Sequence, residues 1–262
     1  MKKNVMKTSR LFIVVLLIVS VGVVNAQNTI IDHSTNWWNG LIGKYQITNK
    51  WYASSEVHIR RANYLETWQQ FLFRPAINYA LNENVDFTIG YTYILTYPYG
   101  NQPLPTVIPE NNLWEQILLK HNISKVHVSH RYRLENRWIG NPQWNANTNE
   151  YTINGINYAN RFRYRLTVSF PVKQIDAEKG KKLSLKFFDE VFLNLNDNLS
   201  VNSFNQNWIF GALVFNLNKN LSFTGGFMNQ YFIKGDRIHI ESNPSIQFGV
   251  GYKLDFRKKD NS

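Results

Sequence analysis

From Trp37 onward apolar and polar residues alternate along most of the chain, which puts them on opposite faces of successive β-strands. Two stretches carry the pattern most plainly. In Asn160–Phe170, Phe162, Tyr164, Leu166, Val168 and Phe170 share one face, and Arg161, Arg163, Arg165, Thr167 and Ser169 share the other. In His127–Trp138 the polar face is His127, Ser129, Arg131, Arg133, Glu135 and Arg137. Such strands need an apolar medium on one side and a polar, partly anionic environment on the other.

The same alternation predicts strands over Trp38–Ile47, Trp51–Arg61, Trp68–Leu81, Val85–Leu95, Leu113–Asn122, Leu183–Leu195, Phe204–Leu217, Leu221–Ile233 and Ile246–Phe256. In Trp68–Leu81 it groups Gln69, Phe71, Phe73, Ile77, Tyr79 and Leu81 on one face. These strands run to roughly 10–14 residues, longer than the 5–6 usual in soluble sheets and long enough to cross a bilayer when tilted. Tight turns around Asn49, Glu83, Ser124 and Lys219 alternate with longer connections at 97–111, 140–156 and 196–203. The 140–156 stretch reads as a polar, Asn-rich loop. That asymmetry matches outer-membrane barrels, with short periplasmic turns and longer external loops. Trp51, Trp68, Trp114, Trp138 and Tyr231 lie near strand ends, where aromatic girdles form.

The expected fold is all-β: a single antiparallel up-and-down transmembrane β-barrel. A weak strand around Thr29–His33 brings the count to about twelve, with both ends in the periplasm, because single-chain bacterial barrels have even numbers. If the Trp38 segment lies outside the barrel, about ten strands remain.

The N-terminus adds a compartment. Lys2, Lys3, Lys7 and Arg10 precede an apolar run from Leu11 to Val24, and Ala26 precedes Gln27. This predicts a signal peptide over 1–26, cleaved after Ala26, and a barrel domain over 27–262. Past residue 26 no apolar run approaches the roughly 18 residues of a membrane helix, so a helical bundle is excluded. Tyr, Phe and Trp number 14, 17 and 8 in 262 residues, a load that suits sheet. There is no Cys, so neither disulfides nor thiolate metal sites are available. The formal charge is +11, and loss of the four basic residues of the leader brings it to +7. Export argues against nucleic acid as the partner of that basic charge; the expected partners are outer-membrane lipid, the barrel assembly machinery and small anionic solutes.

With the apolar faces toward lipid, Arg131, Arg133, Arg137, Arg161, Arg163 and Arg165 face a lumen together with Glu135, His127 and Ser129. Packed arginines repel and need carboxylates, bound anions or water. Glu190, Glu56, Asp86 and Glu115 are the expected partners. Two readings follow: a structural ion-pair network filling a narrow barrel, or a cationic constriction for small anionic solutes. Asp189 falls with Phe187 and Val191 on the lipid face; either a bulge re-aims it beside Glu190 or it lies outside the hydrocarbon.

Enzymatic readings rest on little. His127 and Ser129 are spaced like the His-x-Ser of outer-membrane phospholipase A, but the surrounding residues of that family are absent. No G-x-S-x-G, H-E-x-x-H or phosphate-cradling glycine loop occurs, and a metal site from His127 and His58 has less support still, so no cofactor or metal is expected. A soluble periplasmic barrel binding an apolar ligand is the third reading.

Two resemblances remain. Gly251-Tyr252-Lys253-Leu254-Asp255-Phe256 resembles the C-terminal assembly signal of outer-membrane barrels, here followed by a polar tail, Arg257–Ser262. Arg161–Leu166, Asp189–Asn194 and Phe204-Asn205-Gln206-Asn207-Trp208 together resemble an uncharacterised family of small exported β-barrel proteins of Gram-negative bacteria. The resemblance covers essentially the whole mature chain, and it implies an outer-membrane barrel while supplying no activity. That family usually carries a basic residue where this chain has Trp208.

Overall fold

The alternating segments hydrogen-bond into one sheet that returns on itself. The computed structural model describes residues 29–101, 103–195 and 204–257; the predicted signal peptide with its cleavage site, and the 196–203 connection, lie outside them. The strands are β1 (Ile30–Asp32), β2 (Asn36–Gln46), β3 (Trp51–Ala62), β4 (Thr67–Ala80), β5 (Val85–Thr96), β6 (Ile108–Ile123), β7 (Val126–Asn145), β8 (Glu150–Asp176), β9 (Lys181–Asn194), β10 (Phe204–Asn216), β11 (Leu221–Ile233) and β12 (His239–Asp255). Among the described residues there is no helix. The barrel belongs to the unit Ile31–Ser262; of the unit before it, Met1–Ile30, only residues 29 and 30 are described.

Among the described residues twelve strands join the sheet, as expected, but eleven close the barrel. Each of β2 to β12 pairs antiparallel with the next, and β12 then pairs with β2 in parallel, from Ser245 opposite Asn36 to Asp255 opposite Gln46. The weak strand foreseen near Thr29–His33 is β1, three residues beside β12 and too short to cross the sheet. An odd number of crossing strands leaves the first and last running the same way, so the closing seam has to be parallel. β2 therefore starts at the loop end and β12 finishes at the turn end, where both barrel ends had been expected on one side.

The turns are built by local side-chain acceptors. Asn218 Oδ1 accepts the amides of Asn220 and Leu221 at 2.8 Å, and Thr48 Oγ1 accepts that of Trp51 at 2.9 Å. Gly180 takes φ +73° in the turn between β8 and β9, a conformation that costs a glycine nothing. These turns share one end with 81–84 and 124–125. At the opposite end the 140–156 stretch is strand where a loop was expected: β7 and β8 continue paired to Asn145 opposite Glu150, past a bulge at Gly140/Pro142. Cross-strand pairs hold this ribbon together, with Trp144 and Tyr151 rings 5.2 Å apart. Its asparagines hid the alternation because asparagine is usually a turn residue.

The outer wall is apolar and open: Ile89, Ile209, Phe227 and Leu213 are 63%, 57%, 55% and 51% exposed. Trp51, Trp68 and Trp138 stand on that wall, near the strand ends. Trp114 does not; it is buried inside, where Gly90 makes room for it, since a Cβ there would lie 2.1 Å from the indole. Gln69 also departs from simple alternation. The pairing of β3 with β4 shifts between Arg60 and Arg61, and this bulge turns Gln69 inward to accept the Trp38 indole N–H at 2.6 Å.

Candidate functional site

The polar faces of β7, β8 and β9 meet inside the barrel. Register sets Arg131 opposite Arg165, Arg133 opposite Arg163 and Glu135 opposite Arg161, while Arg165 also lies opposite Glu190 of β9. Like charges directly opposed on one face are destabilising unless something intervenes. Here two carboxylates do. Glu190, fully buried, accepts Arg163 Nε at 2.8 Å and Arg165 Nε at 2.8 Å and is in direct contact with the Arg131 guanidinium. Glu135 accepts Arg161 Nε and Arg163 Nη1, each at 2.7 Å, with Arg133 Nη1 3.9 Å away. Arg163 thus bridges both acids.

Arginine suits this layer because its planar fork donates in several directions at once. Rings complete the packing: Arg133 lies 3.8 Å over Trp114, Arg165 4.0 Å over Phe188 and Arg163 4.3 Å over Phe192. Toward the loop end, Arg137 makes a two-pronged pair with Glu110, both bonds 2.7 Å. Five arginines around two carboxylates leave the layer with three uncompensated positive charges.

All eight residues of the expected ionic cluster therefore lie together. The other expected acids divide. Glu56 pairs with Arg74 at 2.8 Å and with His58 at 3.0 Å, and Asp86 pairs with Lys120 at 2.9 Å. Glu115 does not reach the lumen; it is exposed on the outer wall with Leu113 and Ile117, and Glu110, of the opposite parity, takes its place. Asp189 also faces outward. No bulge re-aims it, and it accepts Asn207 Nδ2 at 2.5 Å. His127 lines the lumen near the turn end with its Nδ1 2.5 Å from Asn122 Oδ1, and among the described residues no hydrogen bond joins it to Ser129.

Two cavities flank the ionic layer and abut at Arg60, Arg74, Arg163 and Trp208. The loop-end cavity, about 290 Å³, presents paired cations, Arg137 on Glu110, Arg161 on Glu135 and Lys234 on Glu241, apart from Arg60, which it shares with the other cavity and which is held by Gln70 and the Trp38 ring. The turn-end cavity, about 670 Å³, is different. Lys44, Lys182, Lys186 and Lys253 line it, and among the described residues none has a carboxylate oxygen within 4.0 Å. Lys44 and Lys253 are even register partners across the parallel seam. With Arg60, Arg74, Arg131, Arg163 and Arg165, nine cationic side chains face this space against one carboxylate, Glu56. The sequence pattern did not single out these lysines. Lys186 carried the available signal, since it continues the inward row of Phe188 and Glu190 on β9.

A family model described as a protein of unknown function (DUF2490) matches residues 35–241. A solved structure described as "NanC porin structure in rhombohedral crystal form" is similar at 12% identity and a TM-score of 0.49, over 84% of this chain and 98% of that one. No curated protein matches the chain.

Proposed function

The chain belongs to the family of proteins of unknown function DUF2490, and from that premise we propose that it is an outer-membrane barrel whose turn-end cavity binds small anionic solutes. The bilayer is the medium that suits the outer wall. Exposed Ile, Leu and Phe on every side of a closed sheet would be costly in water, at roughly 25 cal/mol per Å². The eleven closing strands, each of at least 11 residues, meet the roughly 9–11 that a tilted crossing requires. The alternation of tight turns and longer loops supports a periplasmic turn end, so the larger cavity opens toward the periplasm.

The observation that carries the solute reading is that Lys44, Lys182, Lys186, Lys253 and Arg60 line that cavity with no carboxylate oxygen within 4.0 Å among the described residues, while its other four arginines are paired. Field lines from one sign of charge are focused in a low-dielectric cleft and concentrate counter-ions there. The buried layer of Arg133, Glu135, Arg161, Arg163 and Glu190 stands between the two cavities, which supports reading the barrel as a binding vessel.

Calorimetric titration of the detergent-purified barrel with inorganic phosphate tests the reading. Saturable binding that weakens as salt rises is the expected result, as is anion preference of any channels in planar bilayers. Absence of phosphate binding, or a cation preference, overturns it. Recovery of the protein in the soluble fraction without detergent would instead favour a soluble barrel.

A further inference from the structure

The turn-end cavity has a second chemical character that its charge does not explain. On β9, β10 and β11 an apolar cluster interrupts the ionic lining: Phe188 and Phe192 on either side of Glu190, then Trp208, Phe210 and Ala212, then Met228. Phe188 and Phe210 are register partners, stack with centroids 4.7 Å apart, and both line the cavity, with Val214 beyond them toward the turn end. The neighbouring strand keeps this panel flat. Gly226 carries no side chain where a Cβ would sit 2.5 Å from Ala212 Cβ and 2.9 Å from the Phe210 ring, so the Phe210 ring rests on β11. The cluster is nearly closed to solvent, with Phe188 and Phe210 9% and 5% exposed and Arg165 over the Phe188 ring, so a small apolar area, widened by half-buried Val214, meets the cavity.

The lysines lie around the same space. Lys186 is two residues from Phe188 on the same inward row, Lys182 is two turns of the pleat further toward the turn end, and Lys44 and Lys253 face the cavity from β2 and β12. Lys44 is spread over the Tyr52 ring at 3.7 Å. A cavity of this volume falls within the roughly 300–1,000 Å³ of small-molecule sites, which combine an apolar lining with a few placed polar groups.

We propose that the turn-end cavity binds an amphiphilic anion: a phosphate, sulfonate or carboxylate head on Lys44, Lys182, Lys186 and Lys253, and an aryl or short-alkyl body against Phe188, Phe210 and Val214. The proposal rests on the anion-binding reading above and narrows its ligand class.

Titration of the purified mature barrel with inorganic phosphate, phenyl phosphate and phenol, at a pH where both phosphates are dianions, separates the two claims. Phenyl phosphate is expected to bind at least about tenfold more tightly than inorganic phosphate, and phenol not to saturate. Lys186→Met weakens both phosphates by about tenfold, whereas Phe210→Leu removes most of the preference for the phenyl ester and leaves inorganic phosphate unchanged. Heat-modifiable gel migration confirms that each variant is folded; if Phe210→Leu does not fold, Val214→Ser in the same wall gives the reading. Equal affinity for the two phosphates overturns the amphiphile and leaves the anion site standing. Failure of both to bind overturns both claims, and phenol binding as tightly as its phosphate overturns the role of the lysines.

Discussion

The arginine layer and the lysine rim lie in one lumen and carry the same sign of charge, yet they are built for opposite purposes. In the layer every carboxylate is shared: Glu190 receives three guanidinium groups, and Glu135 receives two with Arg133 3.9 Å away, both acids being almost wholly excluded from solvent. At the rim four ammonium groups face a cavity whose one lining carboxylate, Glu56, is held by Arg74 and His58, and among the described residues none of the four has a carboxylate oxygen within 4.0 Å. The difference follows from the side chains. A guanidinium is planar, weakly hydrated and able to bond two acids at once, so it suits buried pairing; an ammonium is a hydrated point charge on a flexible stem. Charge neutralised by the protein holds the barrel's waist, and charge left unneutralised is what a solute can meet. Arginine density, the most visible feature of the sequence, marked the tier whose charge the protein pairs; the tier proposed to bind a solute carried no such signal.

The largest test of that division is Glu190→Gln. It leaves Arg131, Arg163 and Arg165 buried around a neutral amide, and breaking a buried pair from one side costs about 3–5 kcal/mol. A sharply lower unfolding temperature, read by heat-modifiable migration, is the expected outcome; unchanged stability would mean that water or ions already satisfy the arginines. Arg163→Lys comes next. A lysine cannot span Glu135 and Glu190 as Arg163 does with bonds of 2.7 and 2.8 Å, and the loss should be about 2 kcal/mol. The reverse exchange, Lys186→Arg, should leave both stability and phosphate binding nearly intact.

Gly90→Ala probes how the layer is wedged in place. The new methyl would strike Trp114, which donates its indole N–H to Thr92 Oγ1 at 2.9 Å and supports the Arg133 guanidinium. Overpacking of this kind costs about 1–3 kcal/mol, seen as a lower unfolding temperature with phosphate affinity at the turn end unaltered. Weaker phosphate binding in a folded Gly90→Ala barrel would show the two tiers to be coupled.

Much of this was legible because parity is a local property. A residue's face follows from its neighbours, so the inward arginines of β7 and β8 and the outward Phe162–Phe170 row could be read directly. Parity fails where an extra residue enters. The bulge at Gln69 reversed its expected face, and nothing in the sequence marks the shift. Glu110 went unrecognised for a related reason: Pro109 looked like the end of a loop, while β6 in fact begins at Ile108. Closure and pairing are non-local. That β2 meets β12 in parallel, with Lys44 beside Lys253, depends on the exact number of crossings, which a weak strand near the N-terminus obscured. Whether a lumen cation has a partner depends on which strands face each other across the barrel, and alternation carries no information about that.

The smallest effect on stability is also the most discriminating. Lys186→Met and the pair Lys44→Met with Lys253→Met remove charge that among the described residues has no carboxylate oxygen within 4.0 Å, so no buried acid there is orphaned. In the seam the substitution also relieves a like-charge pair, and the expected change is within about 1 kcal/mol of zero, in either direction. Phosphate affinity, in contrast, should fall by about tenfold for Lys186→Met, with a weaker salt dependence because fewer fixed charges attract the anion. A stability loss as large as that of Glu190→Gln would show that the rim is structural after all and would erase the distinction between the tiers. Unchanged stability with lost binding would place the solute site on the lysines and leave the arginines as the scaffold beneath it.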